Sequence, residues 1–336
     1  MKTLLYIGNK LSQKNKTLTT IETLGKGLEE LGYTLIYASS KQNKVLRLWD
    51  MICVLITQFR KVDYVLIDTY STSNFYYALI ISQLCRVFKL NYIPILHGGN
   101  LPERLNSNPK LSELIFNNAY NNVAPSNYTK NAFELMGFFN IEVIPNSINI
   151  DNYPVVSKNY KDIQLLWVRS FSKLYHPELA VHVLNELKGL GYNASLCMVG
   201  PDNDGSLERT KLLAQTLNLD IKFTGKLEKS EWINLSKDYN YFINTTNFDN
   251  LPVSVIEAMA LGFPIISTDV GGLPYLMTSE KNGLLVSSND VKVFTQAILR
   301  LHHNTDLRYK IILEAIKTSK EYDWKIVKYK WKALLT

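Results

Sequence analysis

The segment Asn247–Pro264 constrains the fold more than any other stretch, because it contains the start, body and end of a short buried helix. Asp249 and Asn250 are residue types that cap helix N-termini, and Pro252 suits the first helical position, where its missing N–H has no partner to lose. Gly262 suits a left-handed exit, and the proline two residues later prevents continuation. Nearly every side chain between these marks is apolar, which is typical of a helix buried on all sides.

Glu257 lies in the middle of this apolar helix. A buried carboxylate without partners is costly or takes up a proton, so we expect Glu257 to have partners. The hydroxyl groups of a ligand such as ribose would provide them, and so would a neighbouring loop of the protein. A ligand-binding carboxylate and a capped core helix therefore both remain open.

Asp249 lies eight residues before Glu257, in the loop that leads into the helix. The free N–H groups at the start of a helix form an anion site. A carboxylate for hydroxyl groups, backbone amides for phosphate and a second carboxylate nearby together indicate a pocket for a nucleotide-sugar. The backbone part of this predicted pocket consists of Asn250, Leu251, Pro252 and Val253.

The same segment resembles the donor-binding signature of the family 4 retaining glycosyltransferases, which have the GT-B fold. In that signature two acidic residues with seven residues between them precede and enter a helix that ends in a Gly-x-Pro turn. Asp249 takes the first acidic position, which is usually Glu, and Glu257 takes the second. Ile265–Pro274 is similar to the strand and glycine turn that follow in the family. The resemblance implies that Glu257 binds ribose hydroxyls and that Asp249 holds hydroxyls of the donor sugar.

The composition is that of an ordinary globular protein, with 336 residues of which 46% are hydrophobic and 20% charged. That length suffices for two domains with cores of their own. Three widely spaced cysteines in apolar runs lack the spacing of metal ligands, so we expect reduced thiols and a cytoplasmic protein. No apolar run approaches the roughly 20 residues of a membrane-spanning helix, and the N-terminus lacks the apolar run of a signal peptide.

The net charge of +7 is concentrated in the first half, where residues 1–150 carry 15 basic and 10 acidic side chains. Such a half suits an anionic membrane face, a phosphorylated substrate or nucleic acid, and a solvated surface with a small excess of charge explains it equally well. No RRM, KH or zinc-ligand pattern accompanies the charge, so we expect no nucleic-acid partner.

Residues 41–61 predict a helix with an apolar side and basic ends. The apolar residues are Val45, Leu46, Leu48, Trp49, Ile52, Cys53, Ile56 and Phe59. The basic residues are Lys41, Lys44, Arg47, Arg60 and Lys61. Two interpretations remain open: a core helix with solvated tips, or an interfacial helix that docks this half on anionic lipid.

The first half alternates strands and helices, which predicts a parallel sheet, and its first helix is expected at Thr17–Leu31. Ligands of open α/β sheets gather at the carboxyl ends of strands, where Gly8 and His97 fall. The Gly8 turn lacks the dinucleotide and P-loop patterns, and the resemblance places it opposite the donor diphosphate. The resemblance also implies that His97 lies near the transferred sugar or the acceptor, with Glu103 and Arg104 as further acceptor-side candidates.

The second half restarts the pattern with the strand Ile163–Val168, which Arg169 and Lys173 follow. Two cations past the carboxyl end of a strand are well placed to neutralise a diphosphate, although two plain surface cations are the alternative. The resemblance implies that they hold the pyrophosphate of the donor and assist its departure.

Two later turns are further donor-side candidates. Gly200 opens a Gly-Pro-Asp-Asn-Asp-Gly turn, whose Asp-x-Asp would chelate a divalent ion in metal-dependent GT-A enzymes. The same residues are ordinary in turns, and we expect no metal here. The resemblance places the turn of Thr224, Gly225 and Lys226 beside the base of the nucleotide.

We therefore predict an α/β protein of GT-B fold, with two Rossmann-like domains facing a cleft. The acceptor-side domain is expected at 1–150, a linker at 151–162, the donor-binding domain at 163–318, and a helix returning to the first domain at 319–336. The predicted reaction moves a sugar from a nucleotide-sugar to a hydroxyl of a glycan or lipid-linked acceptor, with retention and without a metal or other cofactor. A nucleotide-sugar epimerase of the same shape and a non-catalytic subunit that binds nucleotide-sugar or glycan are the alternatives.

Overall fold

The structure is a computed structural model that describes residues 2–10 and 20–336. The chain divides into two compact units: Met1–Pro145 together with Trp324–Thr336, and Asn146–Asp323. Residues 146–150, expected in the acceptor-side domain, 151–162, expected as a linker, and 319–323, expected in the last helix, thus belong to the second unit. The chain enters and leaves this unit at adjacent points, because the Ile148 amide donates to the Tyr322 carbonyl at 2.9 Å.

The first unit contains a six-stranded parallel sheet with the strand order β2-β1-β3-β4-β5-β6. Buried apolar residues pack on both of its faces, as expected for parallel strands covered by helices. The strand order reverses between β1 and β3. The strands are β1 (Thr3–Ile7), β2 (Thr34–Ala38), β3 (Tyr64–Thr69), β4 (Asn91–Leu96), β5 (Asn122–Ala124) and β6 (Ile141–Val143).

Within the described residues, six helices connect these strands. The first begins at Thr20 in the structure, and residues 17–19 of the predicted Thr17–Leu31 lie outside the described residues. Two short helices follow β4 in a region where the sequence analysis predicted none. The helices are α1 (Thr20–Glu30), α2 (Lys44–Gln58), α3 (Asn74–Val87), α4 (Leu101–Ser107), α5 (Pro109–Phe116) and α6 (Asn127–Leu135).

Part of the apolar side of helix α2 faces solvent rather than the core of the first unit. Its inward side carries Arg47, Met51 and Leu55, and the Arg47 guanidinium donates to the Lys41 and Gln42 carbonyls and to the side chain of Asn9. The outward side is apolar, with exposed fractions of 75% for Val45, 59% for Leu46, 66% for Trp49 and 46% for Ile56. A core helix with only its tips solvated is therefore the wrong description of α2.

The second unit repeats the architecture with the strand order β12-β11-β10-β7-β8-β9, again parallel. Its order reverses between β7 and β10. The strands are β7 (Ile163–Val168), β8 (Ala194–Val199), β9 (Lys222–Gly225), β10 (Tyr241–Asn244), β11 (Ile265–Thr268) and β12 (Leu284–Val286). The helices are α7 (Pro177–Gly189), α8 (Ser206–Thr216), α9 (Lys229–Leu235), α10 (Val253–Ala260), α11 (Leu273–Leu276), α12 (Val291–His303) and α13 (Thr305–Lys320).

The final helix, α14 (Trp324–Leu334), packs on the first unit and confirms the predicted return. Its Val327 and Trp331 join the buried cluster of Leu4 and Tyr6. Among the residues that the structure describes, none of the helices combines the length and the apolar character needed to cross a membrane.

Candidate active site

The switch point of the second sheet defines the position of the site. Connections from β7 run outward through β8 and β9 on one side, and β10 begins the other side. Loops that follow two such neighbouring strands diverge and leave room for a ligand at their carboxyl ends. Arg169 directly follows β7, and Asp249 lies in the loop that follows β10.

Arg169 and Asp249 form an ion pair across this switch point. Their side chains are 13% and 15% exposed, so the pair is largely withdrawn from water. The guanidinium carbon of Arg169 also lies 4.1 Å from the ring centroid of Tyr175. Burial lowers the pKa of Arg169, while Tyr175 and Glu257 act in the opposite direction. The two residues that the sequence analysis assigned to diphosphate and donor sugar are thus in direct contact.

Glu257 is buried on α10 and is paired within the protein. Its Oε1 accepts a hydrogen bond from the Tyr153 hydroxyl at 2.8 Å and forms an ion pair with Lys229. Burial and then the nearby Glu257 raise the pKa of Tyr153 well above its ordinary value. Neighbouring segments therefore compensate the carboxylate, which is the second alternative left open by the sequence, while the Lys229 side chain remains 52% exposed.

The start of α10 differs from the prediction. Pro252 is the N-cap rather than the first helical residue, and no side chain caps the helix. Asp249 and Asn250, predicted as capping types, do not act as caps; the Asp249 carboxylate instead accepts from the Asn250 amide at 2.8 Å. The first-turn N–H groups of α10 consequently have no capping side chain. The predicted left-handed exit is confirmed, since Gly262 has φ +73°.

A glycine pair holds the loop that carries Asp249. A Cβ on Gly271 would lie 2.2 Å from the Asp249 carbonyl oxygen, and one on Gly272 would lie 1.8 Å from the Asn250 carbonyl oxygen. The Gly272 amide also donates to the Asp249 carbonyl at 2.8 Å. Side chains at either glycine would push the loop away, so these two positions fix its path. Asn250, Leu251 and Pro252 are buried in it, and Val253 is partly exposed.

Lys173 lies near the pair but makes its contacts through the backbone. Its amide donates to Asp204 at 3.0 Å, and its carbonyl accepts from the Asn247 side chain at 3.0 Å. The side chain is exposed, and no carboxylate lies within 4.0 Å of its ammonium in the part of the chain that the structure describes. Its charge is therefore available at the edge of the site.

The Asp-x-Asp residues hold a turn. Asp202 accepts from the amides of Gly205 and Leu207, and Asp204 accepts from Ser206 and from the Lys173 amide. The Ser206 hydroxyl and then the Lys173 amide lower the pKa of Asp204. These bonds fix the entry to α8. Among residues 2–10 and 20–336, no group of three potential metal-ligating side chains was found.

Gly200 supports Arg169 through the backbone. It has φ +149°, and a Cβ at this position would lie 1.8 Å from the Arg169 carbonyl oxygen. Its amide donates to the Gly225 carbonyl at 2.9 Å. Gly225 has φ +69°, the Thr224 hydroxyl donates to the Gly225 carbonyl, and Lys226 pairs with a glutamate two residues later. This turn lies at the carboxyl end of β9, two strands from Arg169.

The first unit brings Gly8 and His97 to its own switch point. His97 Nε2 lies 2.8 Å from Asp68 Oδ1, and a Cβ on Gly8 would lie 2.4 Å from Asp68 Oδ2. Asp68 is not among the candidates predicted from the sequence, because strand pairing alone does not reveal this contact. The guanidinium of Arg104, one of the acceptor-side candidates, donates to the Ser71 carbonyl. Glu103, the other acceptor-side candidate, lies in the first turn of α4.

Comparison with known proteins assigns the chain to a family. Residues 150–318 match the family described as Glycosyl transferases group 1. The uncharacterized glycosyltransferase MJ1069 of Methanocaldococcus jannaschii is 29% identical over 230 residues, which are 64% of this chain and 58% of that protein. The Escherichia coli UDP-Gal:alpha-D-GlcNAc-diphosphoundecaprenol alpha-1,3-galactosyltransferase is 23% identical over 181 residues, 48% of this chain and 45% of that one. The chain thus covers less than two thirds of the length of either relative.

A solved structure supports the fold over the whole chain. Sucrose-phosphate synthase from Thermosynechococcus elongatus superposes with a TM-score of 0.83 at 16% identity, covering 99% of this chain and 98% of the other. The GT-B fold predicted from the sequence is confirmed. The chain belongs to the glycosyl transferases group 1 family.

Gly200 offers a test of how the site is supported. We expect Gly200→Ala to lower the free energy of unfolding by about 1–3 kcal/mol or more, because the new methyl group overlaps the Arg169 carbonyl. Gly189→Ala is the matched control, since a Cβ there meets nothing within 4 Å. It should be neutral or stabilising by up to about 1 kcal/mol. Urea denaturation measures both, and equal stability of the two variants would contradict the close packing.

Proposed function

We propose that this protein is a retaining glycosyltransferase that moves a sugar from a nucleotide-sugar to a hydroxyl of a glycan or lipid-linked acceptor. The observation that carries the proposal is the Arg169–Asp249 pair at the switch point of the second sheet, with Glu257 near it. Membership in the family supports the transferase class. The name of the Escherichia coli relative pairs a UDP-sugar with a lipid diphosphate acceptor, which supports the substrate classes.

Each residue has a proposed role. Arg169 and Lys173 stabilise the charge that develops on the leaving diphosphate, as cations fixed before the reaction do. The Arg169 guanidinium pairs with Asp249 and lies against the Tyr175 ring, which fixes its position before the donor binds. Asp249 accepts from hydroxyls of the donor sugar, and Glu257 accepts from the ribose. Backbone amides in the first turn of α10, which begins at Val253, receive phosphate or sugar oxygens, because no side chain caps the helix.

The remaining candidates have supporting roles in this proposal. Gly200 and Gly8 have no Cβ atom. The Arg169 carbonyl can therefore approach Gly200 closely, and the Asp68 carboxylate can approach Gly8. The turn of Thr224, Gly225 and Lys226 lies beside the base. His97 lies near the acceptor hydroxyl in the first unit. No covalent enzyme intermediate is needed, since the leaving phosphate itself accepts the proton of the attacking hydroxyl on the same face.

The proposed roles predict the effect of two substitutions. A thermal-shift screen of nucleotide-sugars first selects the donor. We then expect Arg169→Ala and Glu257→Ala each to reduce sugar transfer by about a hundredfold or more, because each removes charge stabilisation or donor binding. Both should keep a wild-type circular dichroism spectrum. Arg300→Ala, which removes an exposed ion pair with Glu280 in the same unit, is the control and should keep full activity.

The product distinguishes the alternatives. Full activity of either Arg169→Ala or Glu257→Ala would contradict the assigned site. An epimerase would convert the nucleotide-sugar without an acceptor, and a new nucleotide-sugar in the product mixture would identify it. A non-catalytic subunit would bind the donor and leave it intact even with acceptor present.

We also propose that transfer needs no divalent metal or other cofactor. Asp202 and Asp204 already use carboxylate oxygens to hold the turn before α8, which supports a structural role for the pair. Transfer measured with excess EDTA should proceed at the rate seen without it. Strong inhibition that Mn²⁺ reverses would instead identify the pair as a metal site.

The membrane-facing part of the proposal concerns α2. We propose a cytoplasmic protein that docks on anionic lipid at the inner membrane face through the exposed apolar side of α2. Trp49 and its exposed neighbours would enter the interface, and the exposed Lys41, Lys44, Arg60 and Lys61 would meet lipid phosphates. Charge at both helix ends and apolar residues between them support lipid rather than a protein partner.

Flotation with vesicles tests this docking. We expect the protein to float with phosphatidylglycerol-rich vesicles at low salt and to remain behind with phosphatidylcholine alone. The double variant Leu46→Ser/Trp49→Ser should lose most of the binding, because it removes interfacial apolar area. Leu135→Ser, at an 87% exposed leucine in the same unit, is the control and should float like the wild type. Absence of binding to anionic vesicles would overturn the membrane part alone.

A further inference from the structure

A buried polar cluster at the switch point of the first sheet has no assigned role. Asp68 lies near the end of β3, Tyr6 lies in the adjacent β1, and His97 follows β4 on the other side. The side chains of Tyr6 and His97 converge on one carboxylate oxygen, Asp68 Oδ1. The Tyr6 hydroxyl donates to it at 3.1 Å, and His97 Nε2 lies 2.8 Å from it. Asp68 is 6% exposed, His97 5% and Tyr6 fully buried.

The hydrogen-bond chemistry fixes which nitrogen of His97 carries the proton. An ionised carboxylate only accepts hydrogen bonds, so a neutral imidazole that bonds to it must donate from Nε2. The proton then lies on Nε2, and Nδ1 keeps its lone pair. Within residues 2–10 and 20–336, Nδ1 of His97 has no hydrogen-bond partner. Nδ1 is not completely buried, so solvent or a ligand can reach it.

The surroundings hold the pair in one orientation. The Tyr70 ring stacks on the imidazole with a centroid distance of 4.8 Å and an interplanar angle of 27°. The His97 amide donates to the Thr69 carbonyl at 2.8 Å, which fixes the backbone next to the ring. The missing side chain of Gly8 leaves room for the second oxygen of Asp68. Contacts of these kinds orient a functional imidazole and select its tautomer.

We propose that Asp68, supported by Tyr6, is a positioning residue that holds His97 as the Nε2–H tautomer and presents Nδ1 to a substrate hydroxyl. An acceptor nitrogen selects a hydroxyl donor, which is the group that an acceptor sugar or lipid-linked glycan offers. This inference rests on the proposed function for the identity of the substrate. The tautomer itself depends only on the contacts among Asp68, Tyr6 and His97.

Nitrogen NMR of the imidazoles measures the tautomer without any substrate. The protein is labelled with ¹⁵N-histidine, and the His97 signal is identified among the five histidines by its loss in His97→Gln. At about pH 8.5, where a free imidazole is neutral, the wild-type spectrum should show the proton on Nε2. A proton on Nδ1, or on both nitrogens, would overturn the proposal. The decisive spectrum is that of the wild-type chain, so it does not depend on the folding of a variant at Asp68.

Asp68→Asn then tests the cause. Its amide can donate to Nε2, so the proton of His97 should move toward Nδ1. Asp63→Asn is the matched control at the opposite end of β3, where Asp63 is exposed and accepts from the Thr3 amide. It should leave the His97 spectrum unchanged. An unchanged His97 tautomer in folded Asp68→Asn would refute the positioning role.

Kinetics connects the tautomer to transfer. We expect Asp68→Asn to lower kcat/KM for the acceptor by about tenfold or more with the donor KM unchanged, since one hydrogen bond to the acceptor is lost. In a His97→Ala background the same substitution should have no further effect, because the residue acts through the imidazole. Independent, additive losses would contradict the proposal. If the wild type transfers no sugar at all, the proposed function fails while the NMR result still decides the tautomer.

Discussion

The Arg169–Asp249 ion pair is the interaction on which the organisation of the second unit depends. It joins the loops that follow β7 and β10, the two strands between which the sheet order reverses. Removing either partner leaves the other charge largely buried without compensation, which lowers the free energy of unfolding. Backbone packing keeps both in place: Gly200 lies against the Arg169 carbonyl, and Gly271 lies against the Asp249 carbonyl.

The first unit uses the same arrangement with different chemistry. Its switch point also brings a buried carboxylate, Asp68, against a glycine, and the partner is the imidazole of His97 rather than a guanidinium. A guanidinium stays charged and suits a phosphate, whereas an imidazole presents one donor and one acceptor and suits a hydroxyl. Two sheets of one topology therefore carry two different buried carboxylate pairs, one near the reversal point of each.

Sequence patterns predicted most of the strands, the two-unit plan and the residues at strand ends, because buried parallel strands and glycine turns leave strong local signals. They did not reveal the partners of Glu257. Tyr153 and Lys229 are 104 and 28 residues away from it and approach only in the folded unit. The burial of Arg47 was not predicted for a related reason. It depends on the carbonyl groups of Lys41 and Gln42, which precede α2, and the periodicity of the helix does not indicate these contacts. The helices α4 and α5 are too short for a clear period.

By itself the sequence determined the fold class and predicted where along the chain the candidate site lies. Both the alternation of strands and helices and the acidic residue within an apolar helix can be recognised from the order of neighbouring residues. The tertiary structure decided which charges meet. Arg169 and Asp249 are 80 positions apart and Asp68 and His97 are 29 apart, and each pair forms because neighbouring parallel strands end at the same edge of a sheet. Local sequence patterns do not indicate which residues far apart in the chain come into contact, so only the folded structure defines the pairs.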